Sequence, residues 1–266
     1  MGAMKTDELW SRVGARIQAS CGWSLRPLAR LGQPREGRRT WLAEPVGQPE
    51  PGTVIVKASA NPFAPTRAAW TASALSLLGE RGYPVPVLLW HGRLDGRWFV
   101  VVQARLPGQP LRTLDGPTLD RLLALVELQA DQGQRLGEGS WDVSWWIGVV
   151  LFDGWEHWWD AAEEAAPQAS LRLRAFLRPA WGHRLPAGDL VHGDLNLSNV
   201  LAADGVISGV VDWDDVGVGC RAADLAGLLF DWHRLRLAGA EGLAPDGGER
   251  LVRVHLDMSV GVRLDV

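Results

Sequence analysis

Asp204-Gly205, set between Val200–Ala203 and Val206–Val211, constrains what this chain can fold into more than any other feature. Two β-prone runs joined by Asp-Gly are the strongest short-range hairpin signal, because both central residues of so tight a turn need positive φ. With that turn, Ala203 pairs with Val206, and Asn199 is expected opposite Val210. Asp212 then stands two residues further along the partner strand, roughly 7–8 Å away on the diagonal. The hairpin thus brings an amide oxygen and a carboxylate to its open end, and the segment that enters this end, residues 190–196 (LVHGDLN), adds Asp194. Any one of these residues is also an ordinary turn former. His192, Gly193, Asp194, Asn199 and Asp212 taken together point further. Clustered oxygen ligands suit Mg²⁺, which takes one or two carboxylates and leaves the rest of its shell to water and substrate phosphates. A carboxylate left over can orient a hydroxyl, and those are the parts of a phosphoryl-transfer site.

The rest of the chain divides around this segment. Up to Gln103 the pattern is mainly strands with one helix. Leu28–Leu31 and Arg39–Ala43 are short strands around the polar turn Gly32–Arg38, and 53–58 (TVIVKA) is a third strand. Ala68, Ala72, Leu75 and Leu78 place an amphipathic helix over Pro65–Gly79. Leu88–Trp90 and Trp98–Gln103 flank Asp95-Gly96 as a second hairpin. Leu106-Pro107-Gly108 breaks the pattern as a linker does. Beyond it the periodicity is helical, with apolar faces at Leu119, Leu122, Leu123 and Val126, at Trp145, Val149, Phe152, Trp155 and Trp159, and at Ala222, Leu225, Ala226, Leu229 and Trp232. The reading is an α+β fold: a β-rich half over 1–103 with one helix, and a mainly helical half over 104–266 that carries the hairpin.

A net charge of -4 argues against a nucleic-acid partner, which dense Lys/Arg patches would hold. No apolar run approaches the ~18 residues of a membrane span. Cys21 and Cys220 are the two cysteines and imply no disulfide framework, and Met1–Thr6 lacks a basic region followed by an apolar one. A reducing, cytoplasmic location is expected.

The run HGDLNLSNVL (192–201) followed by VVDWDD (210–215) resembles the aminoglycoside phosphotransferase family, relatives of the protein kinases. Asp224 in RAADLAGLL (221–229), Tyr83-Pro84-Val85-Pro86, and Leu106-Pro107-Gly108-Gln109-Pro110-Leu111 fit further stretches of that family, so the likeness spans roughly Leu28 to Leu237. It implies a bilobal, protein-kinase-like fold that moves the γ-phosphate of ATP or GTP, with Mg²⁺, to a hydroxyl of a small acceptor. It implies Asp194 as catalytic base, Asn199 and Asp212 as metal ligands, and Asp224 as the anchor of the loop that carries Asp194. It also implies a lysine on the third strand, where Lys57 stands, and a linker, Gln103, Ala104 and Leu106, whose backbone faces the nucleotide base. A lone lysine on an apolar strand is otherwise a strand-edge residue that faces water. Asp214 is either an aid to a second metal or a surface carboxylate.

Three departures from the pattern stand out. Kinases pair the strand lysine with a helix glutamate, whereas the middle of 66–80 (TRAAWTASALSLLGE) holds Thr71 and Ser73, and Glu80 lies too near the end to reach. The turn 32–38 (GQPREGR) is not a full glycine-rich phosphate loop, and Cys220-Arg221 replaces Asp-Pro, a change expected to matter little.

The acceptor region implied by the resemblance, Trp141–Glu164, holds Trp141, Trp145, Trp146, Trp155, Trp158 and Trp159 and an acidic stripe of Asp153, Glu156, Asp160, Glu163 and Glu164. Most of these tryptophans read as core and most of the acids as a solvated face. Their number favours an antibiotic-like acceptor that is uncharged, or contains a nucleoside or sugar, over a polycation. Three rival readings remain at this level: a metabolic kinase of choline, homoserine or sugar type, a nucleotide-binding pseudokinase, and a metallohydrolase using His192, Asp194, Asp212 and Asp214.

Overall fold

The computed structural model describes residues 6–35, 37–47, 52–136, 142, 163–177 and 188–259. The chain divides into two compact units: Met1–Arg112 with Leu197–Asp214, and Thr113–Asn196 with Asp215–Val266. A division after Gln103 puts the 200–210 hairpin in the second half of the sequence, whereas by contact it belongs to the first unit.

The first unit is built on an antiparallel sheet of β1 (Leu25–Arg35), β2 (Arg38–Pro45), β3 (Val54–Ser59), β4 (Leu88–Arg93) and β5 (Phe99–Ala104), in the order β1-β2-β3-β5-β4. Period-two alternation sorts its side chains. Val54, Val56 and Ala58 of β3, Trp41 and Ala43 of β2, and Val100 and Val102 of β5 are buried on one face. That face is covered by α1 (Thr6–Cys21), which sets Leu9, Val13 and Ile17 against it at i, i+4, i+8 spacing. The periodicity predicts one helix in this half; α1 is a second, and the Asp7 and Glu8 in its first turn complement its N-terminus. The other helix, α2 (Ala64–Glu80), buries Ala68, Thr71, Ala74, Leu75, Leu77 and Leu78. The expected 200–210 hairpin is present as β8 (Val200–Ala203) and β9 (Val206–Val210), with β6 (Gln109–Pro110) paired to β8.

The second unit holds α3 (Gly116–Glu127), the paired strands β7 (Asp189–Val191) and β10 (Gly217–Gly219), α4 (Pro167–Leu177), α5 (Ala222–Leu237) and α6 (Gly247–Ser259). Asp115 caps α3 by accepting from the Thr118 N–H at 2.8 Å. On α5 the buried stripe is Ala222, Leu225, Leu228 and Trp232. Ala226 is exposed and Leu229 half-buried, so the expected face is turned slightly. Gly227 explains the turn: a Cβ there would lie 2.2 Å from the Leu195 carbonyl oxygen, so the helix leans its glycine onto the loop. The tryptophan-rich acceptor segment lies outside the described residues apart from Asp142, Glu163 and Glu164. Among the described residues no helix is long and apolar enough to cross a membrane.

Candidate active site

Lys57 projects from the face of β3 opposite the α1-covered one. Strand order decides its setting: β3 is an interior strand, paired with β2 through Thr40↔Lys57 and with β5 through Lys57↔Val101. The strand-edge reading is thereby excluded, and the Lys57 side chain is 15% exposed. A lysine so enclosed needs a counter-charge, and it has two. Its Nζ lies 2.6 Å from Asp212 Oδ1 and 3.0 Å from Asp214 Oδ1. Arg38, at the head of β2, pairs with the other oxygen of Asp214 and comes within 3.9 Å of Asp212. Burial pulls the Lys57 ammonium down, but the charges of Asp214 and Asp212 outweigh it and the net shift is upward. Burial likewise pushes Asp214 up, and Lys57 and Arg38 overcome it, so the carboxyl falls to about 2.

Both carboxylates come from the stretch that follows β9: Asp212 just before the turn Trp213–Asp215, and Asp214 within it. Trp213 is its anchor. The indole is 1% exposed, donates from Nε1 to the Val210 carbonyl at 2.9 Å, and meets Tyr83 edge-on at 5.5 Å. Its own carbonyl accepts from Thr71 Oγ1 at 3.0 Å. Thr71, in the stretch where a kinase helix would offer glutamate, therefore serves this turn and not the lysine. Asp212 has φ 67°, a left-handed backbone that Asp tolerates better than most residues. Asp214 is not a bare surface carboxylate; it holds Lys57 and Arg38.

The hairpin has the expected turn, with Ala203↔Val206 paired, but not the expected register. A β-bulge at Ser208 makes Leu201 face Gly209 and Val200 face Val210, and the Val211 N–H donates to the Asn199 carbonyl at 2.8 Å. Asn199 therefore lies opposite Val211, and Asp212 is one residue beyond that pair where a regular ladder would make it two. Asn199 is buried, at the end of the 3₁₀ turn Leu197–Asn199. Of the linker residues, Gln103 is buried on β5 opposite Ile55 and Leu88, the Ala104 N–H is committed to the Val87 carbonyl at 2.9 Å, and Leu106 packs on Gly209. Beside Lys57 the first unit also encloses a cavity of about 620 Å³, whose lining includes Arg38, Lys57, Ser59, Arg67, Thr71 and Asp214.

In the second unit the residues around Asp194 are held by one carboxylate. Asp224 is 2% exposed and accepts from the backbone N–H groups of His192 (2.8 Å) and Gly193 (3.1 Å) and from Gln129 Nε2 (2.8 Å). Burial raises its carboxyl, and the neighbouring His192 and these bonds offset only part of the rise. Gly193 is obligatory: its φ is +83°, and a Cβ would meet the Asp215 carbonyl oxygen at 2.4 Å. His192 is fully buried, its Nδ1 accepting from the Asp194 N–H at 3.2 Å. A ring so used is structural, which removes it from the ligand set of a metallohydrolase. Asp194 itself is exposed, and Asn196 Nδ2 donates to its carbonyl (3.0 Å) and its Oδ1 (3.1 Å). Arg221 has more consequence than expected: its guanidinium binds Asp189 at 2.8 Å and Glu127 at 3.0 Å, joining α5 to β7 and α3.

The donor chemistry around Asp212 fits Mg²⁺. Among the described residues no three His, Cys, Asp or Glu side chains gather into a cage. One carboxylate with a neighbouring amide matches a cation that arrives already bound to phosphates.

The model of the phosphotransferase enzyme family matches residues 38–251, most of the chain. The chain belongs to that family. Its α+β architecture is the protein-kinase-like one seen in solved members. A thermostable mutant of aminoglycoside phosphotransferase APH(4)-Ia, in ternary complex with ADP and hygromycin B, is similar at TM-score 0.60 and 17% identity, covering 92% of this chain and 82% of that one. Aminoglycoside-3'-phosphotransferase of type VIII is similar at TM-score 0.60 and 21% identity, with 96% and 93% covered. Macrolide 2'-phosphotransferase MphH from Brachybacterium faecium follows at TM-score 0.56 and 20% identity, with 91% and 81% covered. Two curated relatives match locally. Homoserine kinase of Rhodospirillum rubrum is 37% identical over 87 residues, 30% of this chain and 27% of the relative. Viomycin phosphotransferase of Streptomyces vinaceus is 58% identical over 43 residues, 15% of each chain. The matched segments thus span about a quarter and about a seventh of these two relatives.

Proposed function

We propose that this member of the family is a nucleoside-triphosphate-dependent O-phosphotransferase that moves the γ-phosphate of ATP or GTP to a hydroxyl of a small natural product, an antibiotic, in the cytoplasm. The observation that carries the reading is the enclosed Lys57 set against Asp212 and Asp214: an interior cation with two carboxylates, on a face that α1 leaves uncovered. Lys57 steadies the donor phosphates, and Gln103, Ala104 and Leu106 line the place of the base, with the Ala104 N–H spent inside the sheet. Asn199 and Asp212 would hold Mg²⁺, which would supply positive charge against the donor phosphates. Asp194, exposed and steadied by Asn196, accepts a hydrogen bond from the acceptor hydroxyl and takes its proton late. Residues 1–103 would serve the nucleotide and 104–266 the base and acceptor. Positioning and electrostatics supply most of the acceleration.

The names of the relatives set the acceptor panel. Hygromycin B, macrolides and viomycin stand in those names, and the tryptophans of 141–159 favour an uncharged, nucleoside- or sugar-containing molecule. A second reading, a metabolic kinase, is supported by the longer local match to homoserine kinase. The test is nucleotide consumption with Mg²⁺ and ATP or GTP against aminoglycosides, macrolides, tuberactinomycin-type peptides, nucleoside antibiotics and homoserine, with mass spectrometry of the acceptor. A phosphate added to an antibiotic is the expected result. Phosphorylation of homoserine alone would move the reading to metabolism, and no nucleotide binding at all would overturn both.

A further inference from the structure

Lys57 receives no carboxylate from α2. The only acid of that helix is Glu80, about two and a half turns beyond Thr71, and it is within 3.5 Å of Ser76 Oγ. Thr71 is itself spent on the Trp213 carbonyl. Both partners of the lysine come instead from the stretch Asp212–Asp214 after β9, and the two are not equivalent. Asp212 is the residue proposed for Mg²⁺, and a cation on that carboxylate would compete with the ammonium for it. Asp214 is free of that conflict. It divides its two oxygens between two cations, Oδ1 to Lys57 on β3 and Oδ2 to Arg38 on β2. The strands that carry them are hydrogen-bonded neighbours, through Arg38↔Ser59 and Thr40↔Lys57. The turn under Asp214 is pinned at three points by the Trp213 indole, its edge contact with Tyr83 and the bond from Thr71.

From this geometry we infer that Asp214 is the positioning residue of the donor site: it orients Lys57, the task a helix carboxylate performs in the kinase pattern, and keeps Arg38 beside it as a second cation for the donor phosphates. The inference rests on the functional reading above and names a residue within it. The alignment of Lys57 then depends on one rigid turn and not on any charge carried by α2. Arg38 follows Gly37, at φ 69°, and its planar fork suits phosphate oxygens better than a point charge would.

The test is a double-mutant cycle between Asp214→Asn and Lys57→Met, read by Mg·ADP binding in calorimetry and by the nucleotide KM and kcat of the turnover assay, with melting curves to confirm the fold. Loss of a charged hydrogen-bond partner is expected to weaken Mg·ADP binding about tenfold in Asp214→Asn and at least as much in Lys57→Met. The double variant should fall well short of the product of those losses, because one residue acts through the other. The nucleotide KM should rise while the acceptor KM stays put, a split that a general loss of structure would not give. A multiplicative cycle, or binding in Asp214→Asn within twofold of wild type, overturns the inference. Should Asp214→Asn not fold, Asp214→Ser takes its place in the cycle. Wild-type protein that binds no Mg·ADP would overturn the functional reading itself, whereas binding that Lys57→Met weakens and Asp214→Asn leaves intact overturns only the role of Asp214.

Discussion

Replacing Asp224 tests how the loop around Asp194 is held. In Asp224→Ala three donors lose their acceptor: the N–H groups of His192 and Gly193, and Gln129 Nε2. Gln129 keeps a second bond, to the Leu190 carbonyl at 3.1 Å, so the unrelieved loss falls on the two backbone groups. Each orphaned buried donor costs about 1–3 kcal/mol. Relief from burying the carboxylate returns part of that, which leaves a net loss of about 3 kcal/mol. For a chain of this size the melting temperature should fall by roughly 6–12 °C. Asp224→Asn should cost less, about 1–2 kcal/mol, since an amide oxygen can serve one side of the cluster while its NH₂ opposes only the donor on the other. Urea unfolding of the three proteins measures both. The pH arm has a definite sign: burial raises the folded carboxyl, so the proton-linked part of the stability is present below the usual carboxylate pKa of ~3.9 and is lost as pH rises through the folded value, while the acceptor role remains. Asp224→Ala within about 0.5 kcal/mol of wild type, well below the cost of one orphaned donor, would refute the reasoning.

Two further outcomes follow from the same structure. Asp194→Ala should lower kcat by about a hundredfold or more with melting unchanged, and a loss of only a few-fold would show that Asp194 is not the base. Asp115→Ala removes the cap of α3 and should cost about 1 kcal/mol in urea unfolding. The bond from Thr118 lowers the Asp115 carboxyl, so this cost should persist above pH ~4 and vanish as pH falls through the folded value, the reverse of Asp224.

Much of this molecule was legible from local chemistry. Asp204-Gly205 declared its hairpin because the turn needs positive φ at both positions, and Asp204 and Gly205 have φ 51° and 73°. The bulge at Ser208 was not legible, since a bulge depends on how the two strands pack and not on the residue inserted. It moved Asn199 by one pairing and so brought it closer in register to Asp212. The α1 helix is not legible although Leu9, Val13 and Ile17 are spaced for it, because three apolar residues among polar ones make a thin stripe until the sheet face beneath is known. The absence of a glutamate from the middle of α2 could be read directly. What replaced it could not: Asp214 is 157 residues from Lys57 in sequence, and only the path of β9 and the Trp213 turn unites them. The role of Arg221 is hidden for the same reason, its partners Glu127 and Asp189 coming from separate elements.

The sheet of the first unit is a partition with no slack. On β3, valine, valine and alanine at 54, 56 and 58 have no exposure against the α1 side, and Lys57 between them faces the other way. Losing or gaining one residue inside this strand would turn the lysine into the apolar layer and a valine toward the charged one. This stretch can therefore drift only by substitution, and changes of length across the family must be absorbed in the connections on either side of it.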